Sequence, residues 1–139
     1  MSEYSKVTPE IVEQIKAVVA PNRVYTGADI NEDFSHDEMS IYGKAMPELV
    51  VDAVSTEEIA ATMKIAYDNN IPVTARGAGT GLVGACVPIA GGIVINTTKM
   101  NKILEEGGST KKWTPEEYVK EQFEKAIKED ILRPDDMVK

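Results

Sequence analysis

The 139-residue sequence predicts an α/β (α+β) domain in which helices cover a small sheet. Three observations lead to this fold class. Strand-like apolar runs occur near residues 49–54, 72–76 and 93–97. Helical patterns precede the first of these runs and separate it from the second. A glycine-rich stretch separates the second run from the third. A chain of this length closes about one modest core, which excludes a large multidomain enzyme.

The first element is an amphipathic helix, predicted over residues 9–19. Thr8 fits the N-cap, Pro9 occupies the first helical position and Pro21 ends the pattern. The apolar residues that we expect to face the core are Ile11, Ile15, Val18 and Val19. A short strand follows in "RVYTG", and the polar run "ADINEDFSHDEMS" predicts a loop.

A second helix is predicted between the first two core strands. Ser55 and Glu58 form a capping box at its start, and Asn69 and Asn70 are typical of a helix end. Its buried stripe is predicted to consist of Ile59, Met63, Ala66 and Tyr67. The strand "IPVTAR" then leads into the glycines, and "GGIVINTT" supplies a further strand.

Charge and cysteine content narrow the function classes. The formal net charge is −8, from 15 Lys and Arg against 23 Asp and Glu, so nucleic acid and anionic membrane surfaces are poor partners. No signal pattern begins the chain, and no apolar run approaches the roughly 20 residues that span a bilayer, so we expect a cytoplasmic protein. The single cysteine cannot form an internal disulfide.

The stretch "ARGAGTGLVGA" contains Gly79–Gly84, which spells the G-x-G-x-x-G fingerprint of dinucleotide-binding Rossmann folds. A Rossmann turn requires a helix directly after it, but only "ACVPIAGG" separates Gly84 from the next strand. NAD binding of that kind is therefore excluded. What remains is a loop at residues 76–81 whose backbone N–H groups can form an anion-binding nest, with Gly79 and Gly81 needed for its dihedral angles.

At these residues the sequence resembles the FAD-linked glycolate oxidase and D-lactate dehydrogenase family, whose FAD domain is of the vanillyl-alcohol oxidase or PCMH type. The matching features are Pro47–Val50, Ser55-x-x-Glu58, Pro72, Arg76-Gly-x-Gly-Thr-Gly81, and Gly84 with Gly91-Gly92. The resemblance implies the first FAD-binding subdomain, in an oxidoreductase that passes a hydride from a D-2-hydroxy acid to the flavin. It also implies FAD as the cofactor. The implied cofactor-binding residues are Arg76, Gly77, Ala78, Gly79, Thr80, Gly81 and Gly84.

Three segments are predicted: a leader with the first FAD-binding subdomain over residues 1–105, a Gly-Gly-Ser linker over 106–110, and a helical tail over 111–139 of unrelated or engineered origin. In the tail, Thr114 and Glu117 form a capping box, and Pro134 ends the helix. Its apolar stripe is Tyr118, Val119, Phe123, Ala126 and Ile127. That stripe, or the sheet face that a second subdomain covers in the family, is a surface for self-association.

Two hypotheses for function remain open. The first is an FAD-binding fragment of a D-2-hydroxy-acid dehydrogenase that is incomplete for catalysis. The second is a non-catalytic folded or interaction module that keeps the scaffold without flavin. We assign no catalytic residue and no metal ligand: His36 lies in an acidic loop that we expect to be solvated, and Cys86 has no base near it in sequence. Arg76 is expected to pair either with a phosphate or with a carboxylate.

Overall fold

The computed structural model describes residues 3–39, 41, 43–103 and 115–128. It divides into two compact units, Met1–Asn101 and Lys102–Lys139. The helices and strands of the first unit are α1 (Pro9–Lys16), β1 (Val24–Thr26), β2 (Leu49–Asp52), α2 (Thr56–Asp68), β3 (Val73–Arg76) and β4 (Ile93–Asn96). Short 3-10 helices form at Pro21–Arg23, Gly27–Asp29 and Glu32–Ser35. The second unit contributes α3 (Pro115–Lys128).

The strands form a four-stranded sheet in the order β1-β2-β4-β3. Strands β2, β4 and β3 are parallel, whereas β1 pairs with β2 in the antiparallel direction. The three parallel strands correspond to the three apolar runs of the sequence, so this part of the prediction is confirmed. Their carboxyl ends lie at one edge, where Asp52, Asn96 and Arg76 stand in register.

Helix α1 begins as predicted but is shorter. The hydroxyl of Thr8 accepts a hydrogen bond from the N–H of Ile11, and Pro9 follows it at the first helical position. The α-helix ends at Lys16, three residues before the predicted end. Because the chain turns there, Val18 is 40% exposed and the prediction that it faces the core is wrong.

Helix α2 has the predicted cap but a different buried stripe. The Ser55 hydroxyl accepts from the N–H of Glu58, and Asn70 closes the helix with a φ of 55°. Met63 and Tyr67 are 44% and 87% exposed, so assigning them to the core was wrong. The residues of α2 that are buried or partly buried are Glu58, Ile59, Ala61, Thr62, Ile65 and Ala66. Thr62 is polar but lies in the middle of this buried side, because its position along the helix directs its side chain toward the core.

Both faces of the sheet are covered. On one face, α1 and α2 pack through Ile15 and Ala66 onto strand residues such as Leu49 and Ile93. On the other face, the central strand residues Val50 and Val94 are fully buried against a cluster of side chains from β1 and the following segment. These side chains are Tyr25, Ile30 and Phe34. The segment predicted as a plain loop therefore contributes Ile30 and Phe34 to the packing on this face.

An ion pair fixes the start of α2 to the strand β1 side of the sheet. Arg23 donates from Nη1 to Glu58 Oε2 at 2.7 Å and from Nη2 to Glu58 Oε1 at 2.6 Å. The same carboxylate accepts from the backbone N–H of Val54 at 2.9 Å. The hydrogen bonds from Arg23 lower the pKa of Glu58, and the N–H of Val54 lowers it further.

We expect this ion pair to make stability depend on pH. Because the folded-state pKa of Glu58 is lowered, its contribution is fully present above the ordinary glutamate pKa of about 4.3 and is lost as the pH falls through the lowered value. Glu58→Gln should therefore reduce the free energy of unfolding by about 1–2 kcal/mol at neutral pH and flatten its decline in acid. Urea denaturation at pH values about one unit apart, from pH 3 to pH 7, measures the free energy of unfolding of both proteins.

The control for that titration is Glu57→Gln. Glu57 is exposed on the same first turn of α2, so its substitution removes an equal charge without breaking the ion pair. Equal pH profiles for the two variants would contradict the role assigned to Glu58.

In the second unit the structure describes residues 102–103 and helix α3. Helix α3 agrees with the helix predicted in the tail; Val119 is 51% exposed, and Phe123 and Ile127 are half-buried. The linker at 106–110, the cap at Thr114 and the stop at Pro134 lie outside the described residues. In the ranges that the structure describes, no helix has the length and apolar character needed to cross a membrane.

Candidate cofactor site

The carboxyl edge of the parallel strands is where the candidate site lies. Asp52, Asn96 and Arg76 end β2, β4 and β3, and all three are buried. Since side chains alternate along a strand, Asp52 and Asn96 share a face with the buried Val50 and Val94. Ligands of open α/β sheets bind outside this edge, because loops and free backbone groups gather there.

The loop that leaves β3 at this edge is open and polar. Its side chains are small at residues 77–81, and Gly77, Ala78, Thr80 and Gly81 are exposed. Within the described ranges, no backbone N–H from Gly77 to Val83 donates a hydrogen bond to another part of the chain. A run of free N–H groups with little side-chain bulk above it is the arrangement that binds an anion.

Glycine is required at only some positions of this loop. Gly79 has a φ of 76° and Gly84 a φ of 72°, a region that residues with a Cβ rarely adopt. Gly77 and Gly81 are not in that region, and a Cβ on either would meet no atom within 4 Å in the part of the chain that the structure describes. The expectation that the backbone needs glycine at position 81 was therefore wrong, because its dihedral angles are ordinary. A side chain there would instead extend into the open space beside the loop.

Arg76 lies beneath the loop rather than beside a carboxylate. Its Nη1 donates to the backbone carbonyl of His36 at 2.8 Å and lies 3.5 Å from the Sγ of Cys86. The guanidinium carbon is 5.5 Å from the ring centroid of Phe34, within cation–π range. A Cβ added to Gly79 would overlap Nη2 and lie 2.8 Å from Cζ. Among the described residues Arg76 forms no ion pair, so the expected pairing with a carboxylate does not occur there.

Asp37 is a site residue that the sequence did not reveal. It is 6% exposed, although the acidic loop around it was expected to be solvated. Its Oδ2 accepts from the N–H of Gly84 at 2.7 Å, and its Oδ1 accepts from the N–H of Met39 at 2.8 Å. The neighbouring His36 is half-buried and uses its carbonyl to hold Arg76. No local pattern signals a contact that spans 47 residues.

A second polar cluster lies along the same edge. Asn96 donates from Nδ2 to Asp52 Oδ1 at 2.8 Å, and Lys99 pairs with Asp52 Oδ2 at 3.2 Å. The Tyr25 hydroxyl donates to the same Oδ2, also at 3.2 Å. These contacts give the buried carboxylate of Asp52 donors on both oxygens, so the cluster holds the ends of β2 and β4 together.

Cys86 and His36 are the remaining groups that the sequence analysis singled out. Cys86 is half-buried, and its sulfur lies 3.5 Å from the Nη1 of Arg76. The imidazole of His36 contacts the carbonyl of Asp37 at 3.1 Å and lies 4.0 Å from the exposed Asp33. Across the described residues, no group of three or more His, Cys, Asp and Glu side chains is placed to hold a metal ion.

Comparison with known proteins gives matches of two kinds in sequence. A family model described as an FAD binding domain matches residues 47–115. A D-lactate dehydrogenase of Anaerostipes hadrus is 61% identical over 102 residues, which are 73% of this chain and 21% of that protein. The glycolate oxidase subunit GlcD of Bacillus subtilis is 31% identical over 99 residues, which are 71% of this chain and 21% of that subunit. The chain thus spans about a fifth of the length of these relatives.

Similarity to solved structures extends over more of the chain. The crystal structure of p-cresol methylhydroxylase with substrate bound matches with a TM-score of 0.61 at 21% sequence identity. The match covers 91% of this chain and 26% of that chain. At this level of identity the likeness concerns the fold alone.

Proposed function

Because this chain belongs to the FAD-linked glycolate oxidase and D-lactate dehydrogenase family, with a PCMH-type fold, we propose that the loop after β3 holds the pyrophosphate of FAD. The observation that carries this proposal is the run of free backbone N–H groups from Gly77 to Val83 at the carboxyl edge of the sheet. The proposed cofactor-binding residues are Arg76, Gly77, Ala78, Gly79, Thr80, Gly81 and Gly84.

These residues fit a diphosphate in two respects. Gly77, Ala78, Thr80 and Gly81 leave the backbone accessible, and a Cβ at Gly77 or Gly81 would enter the space that a ligand needs to approach it. The permanently charged Arg76 lies beneath Gly79 and adds a positive potential at the loop. The proposed contacts come from the N–H groups of residues 77–81. Gly84 shapes the loop, since its own N–H is bound to Asp37.

The bound flavin would supply the redox chemistry, by accepting a hydride from a D-2-hydroxy acid. What these residues contribute is binding and orientation of the cofactor. We assign no group in this chain to substrate binding or proton transfer. Since the 139 residues span about a fifth of their relatives, we propose that they form one FAD-binding part and do not complete a catalytic centre by themselves.

The proposed organisation places the leader and first FAD-binding subdomain in residues 1–105, the linker in 106–110 and the helical tail in 111–139. Self-association through the apolar stripe of α3 is part of the same proposal. Sedimentation of the chain over a range of concentrations measures it: a mass that stays at one monomer throughout would contradict self-association.

A flavin titration tests the proposed function. We expect FAD to bind the 139-residue chain but to be lost during gel filtration, because only part of the family's contact surface is present in these residues. Quenching of FAD fluorescence on titration measures the binding. A chain that shows no quenching up to millimolar FAD would favour the alternative, a scaffold that does not bind flavin.

The same sample tests whether the chain is a catalyst. Hydride transfer needs a substrate held against the flavin with a base in reach. We therefore expect no dye-linked oxidation of D-lactate or glycolate with FAD added in excess. Turnover above the rate of free FAD would contradict the proposal that the 139 residues do not complete the centre.

A further inference from the structure

The loop after β3 is attached at two points to the segment that precedes β2. The residues of that segment that hold it, His36 and Asp37, are consecutive. At the beginning of the loop, Arg76 donates to the carbonyl of His36 at 2.8 Å. Beyond the other end of the loop, Gly84 donates to the carboxylate of Asp37 at 2.7 Å. The stretch between these attachment points contains the free N–H groups described above. His36 and Asp37 therefore fix both ends of residues 77–83. The curvature of that stretch decides where its backbone N–H groups point.

The burial of Asp37 supports a specific role for its carboxylate. Removing an ionised carboxyl group from water is costly unless hydrogen bonds replace its hydration. Here two backbone N–H groups, those of Met39 and Gly84, take that place, one on each oxygen. Charge-assisted bonds of this kind are short and directional, so they fix the backbone that donates them.

We propose that Asp37 is a positioning residue for the cofactor, which holds Gly84 so that the N–H groups of residues 77–81 converge on the FAD pyrophosphate. This inference rests on the proposed function. It assigns no contact between Asp37 and the cofactor itself. The proposed role is not that of a charged ligand, because the carboxylate of Asp37 would repel the negatively charged diphosphate.

That repulsion makes the sign of the effect diagnostic. If Asp37 acted only through its charge, then Asp37→Asn would remove a repulsion and FAD would bind more tightly. If Asp37 acts by holding Gly84, then the amide group provides one neutral acceptor oxygen for two N–H donors, so the bond to Gly84 is either lost or weakened. We therefore expect Asp37→Asn to weaken FAD binding about tenfold.

The experiment compares wild type, Asp37→Asn and the control Glu38→Gln. Glu38 is the next residue, is exposed and has no hydrogen-bond or ion-pair partner among the residues that the structure describes, so the control removes the same charge without detaching the loop. FAD affinity is measured by fluorescence quenching. Amide hydrogen exchange without ligand is measured at Gly84 and at residues 77–83. Thermal unfolding of each protein shows whether it is folded.

The proposal predicts weakened FAD binding and faster exchange at Gly84 for Asp37→Asn alone. Unchanged or tighter FAD binding by a folded Asp37→Asn protein would overturn it. Should that variant not fold, exchange in the wild type decides: Gly84 must exchange more slowly than residues 77–83, and equal rates would overturn the proposal. Absence of FAD binding to the wild type would instead contradict the proposed function, and the exchange data would still test the attachment.

Discussion

Replacing Gly92 with alanine is expected to destabilise the first unit by on the order of 3 kcal/mol. Gly92 has a φ of 70° and lies where the three parallel strands begin. A Cβ there would overlap the backbone carbonyl oxygen of Pro72 and lie 2.6 Å from its Cγ. That carbonyl accepts the N–H of Ile93 at 2.9 Å, so moving it breaks a bond between β3 and β4.

Gly92 also connects β4 to β2. Its carbonyl accepts from the N–H groups of Glu48 and Leu49, and its own N–H donates to Glu48 Oε2 at 2.9 Å. Any backbone shift that relieves the overlap with the added methyl group therefore breaks hydrogen bonds between the strands. Because the atom that the methyl group meets first is the backbone carbonyl of Pro72, which cannot rotate away, the loss of stability reflects overlap as well as dihedral strain.

Urea denaturation of Gly92→Ala and of the control Gly43→Ala separates the two effects. Gly43 has nearly the same φ, 71°, but its Cβ would meet no atom of the described residues within 4 Å. We expect the control to lose about 1 kcal/mol, from dihedral strain alone. Equal losses for the two variants would show that the close approach of Gly92 to Pro72 is unimportant.

The second large effect is expected at Gly79, where valine should weaken FAD binding by at least about a hundredfold. The residue has a φ of 76°, and a side chain on it would displace the guanidinium of Arg76. Arg76 would then lose its bond to His36, its stacking on Phe34, or both. The loop would lose its first attachment and the dihedral angle that turns its N–H groups.

The effect on folding should be smaller than the effect on FAD, since the loop is exposed and Arg76 is a flexible side chain. Gly27→Val is the matched control. Gly27 also has a positive φ, 53°, and a Cβ on it would meet no atom of the described ranges within 4 Å. Fluorescence titration with FAD and urea denaturation are carried out on both variants. Wild-type affinity for FAD in Gly79→Val would refute the proposed nest.

The regular part of the fold was predictable because its signals are local. Compact β-branched runs predicted β2 and β4. The capping box at Ser55 predicted where α2 begins to within one helical turn. The loop after β3 was also predictable, since a cluster of glycines is typical of a loop whose backbone must stay accessible. These features depend on residues that are near one another in sequence.

The remainder depends on contacts between distant segments. Asp37 looked like one more solvated acid, and only the packing of the leader against the sheet buries it beside Gly84. Met63 and Tyr67 looked like core residues because they are apolar, yet the core side of α2 is defined by the position of Thr62. Composition cannot reveal which side of a helix meets a sheet when polar and apolar residues alternate around it.

The central claim is that backbone N–H groups of the loop after β3 hold the pyrophosphate of FAD. Titration of the isotope-labelled 139-residue chain with FAD, followed by the amide resonances of Gly77 through Gly81, tests it most directly. The account predicts that these resonances shift together and saturate with the same affinity as the flavin fluorescence. FAD binding that saturates while these resonances stay unchanged would contradict it.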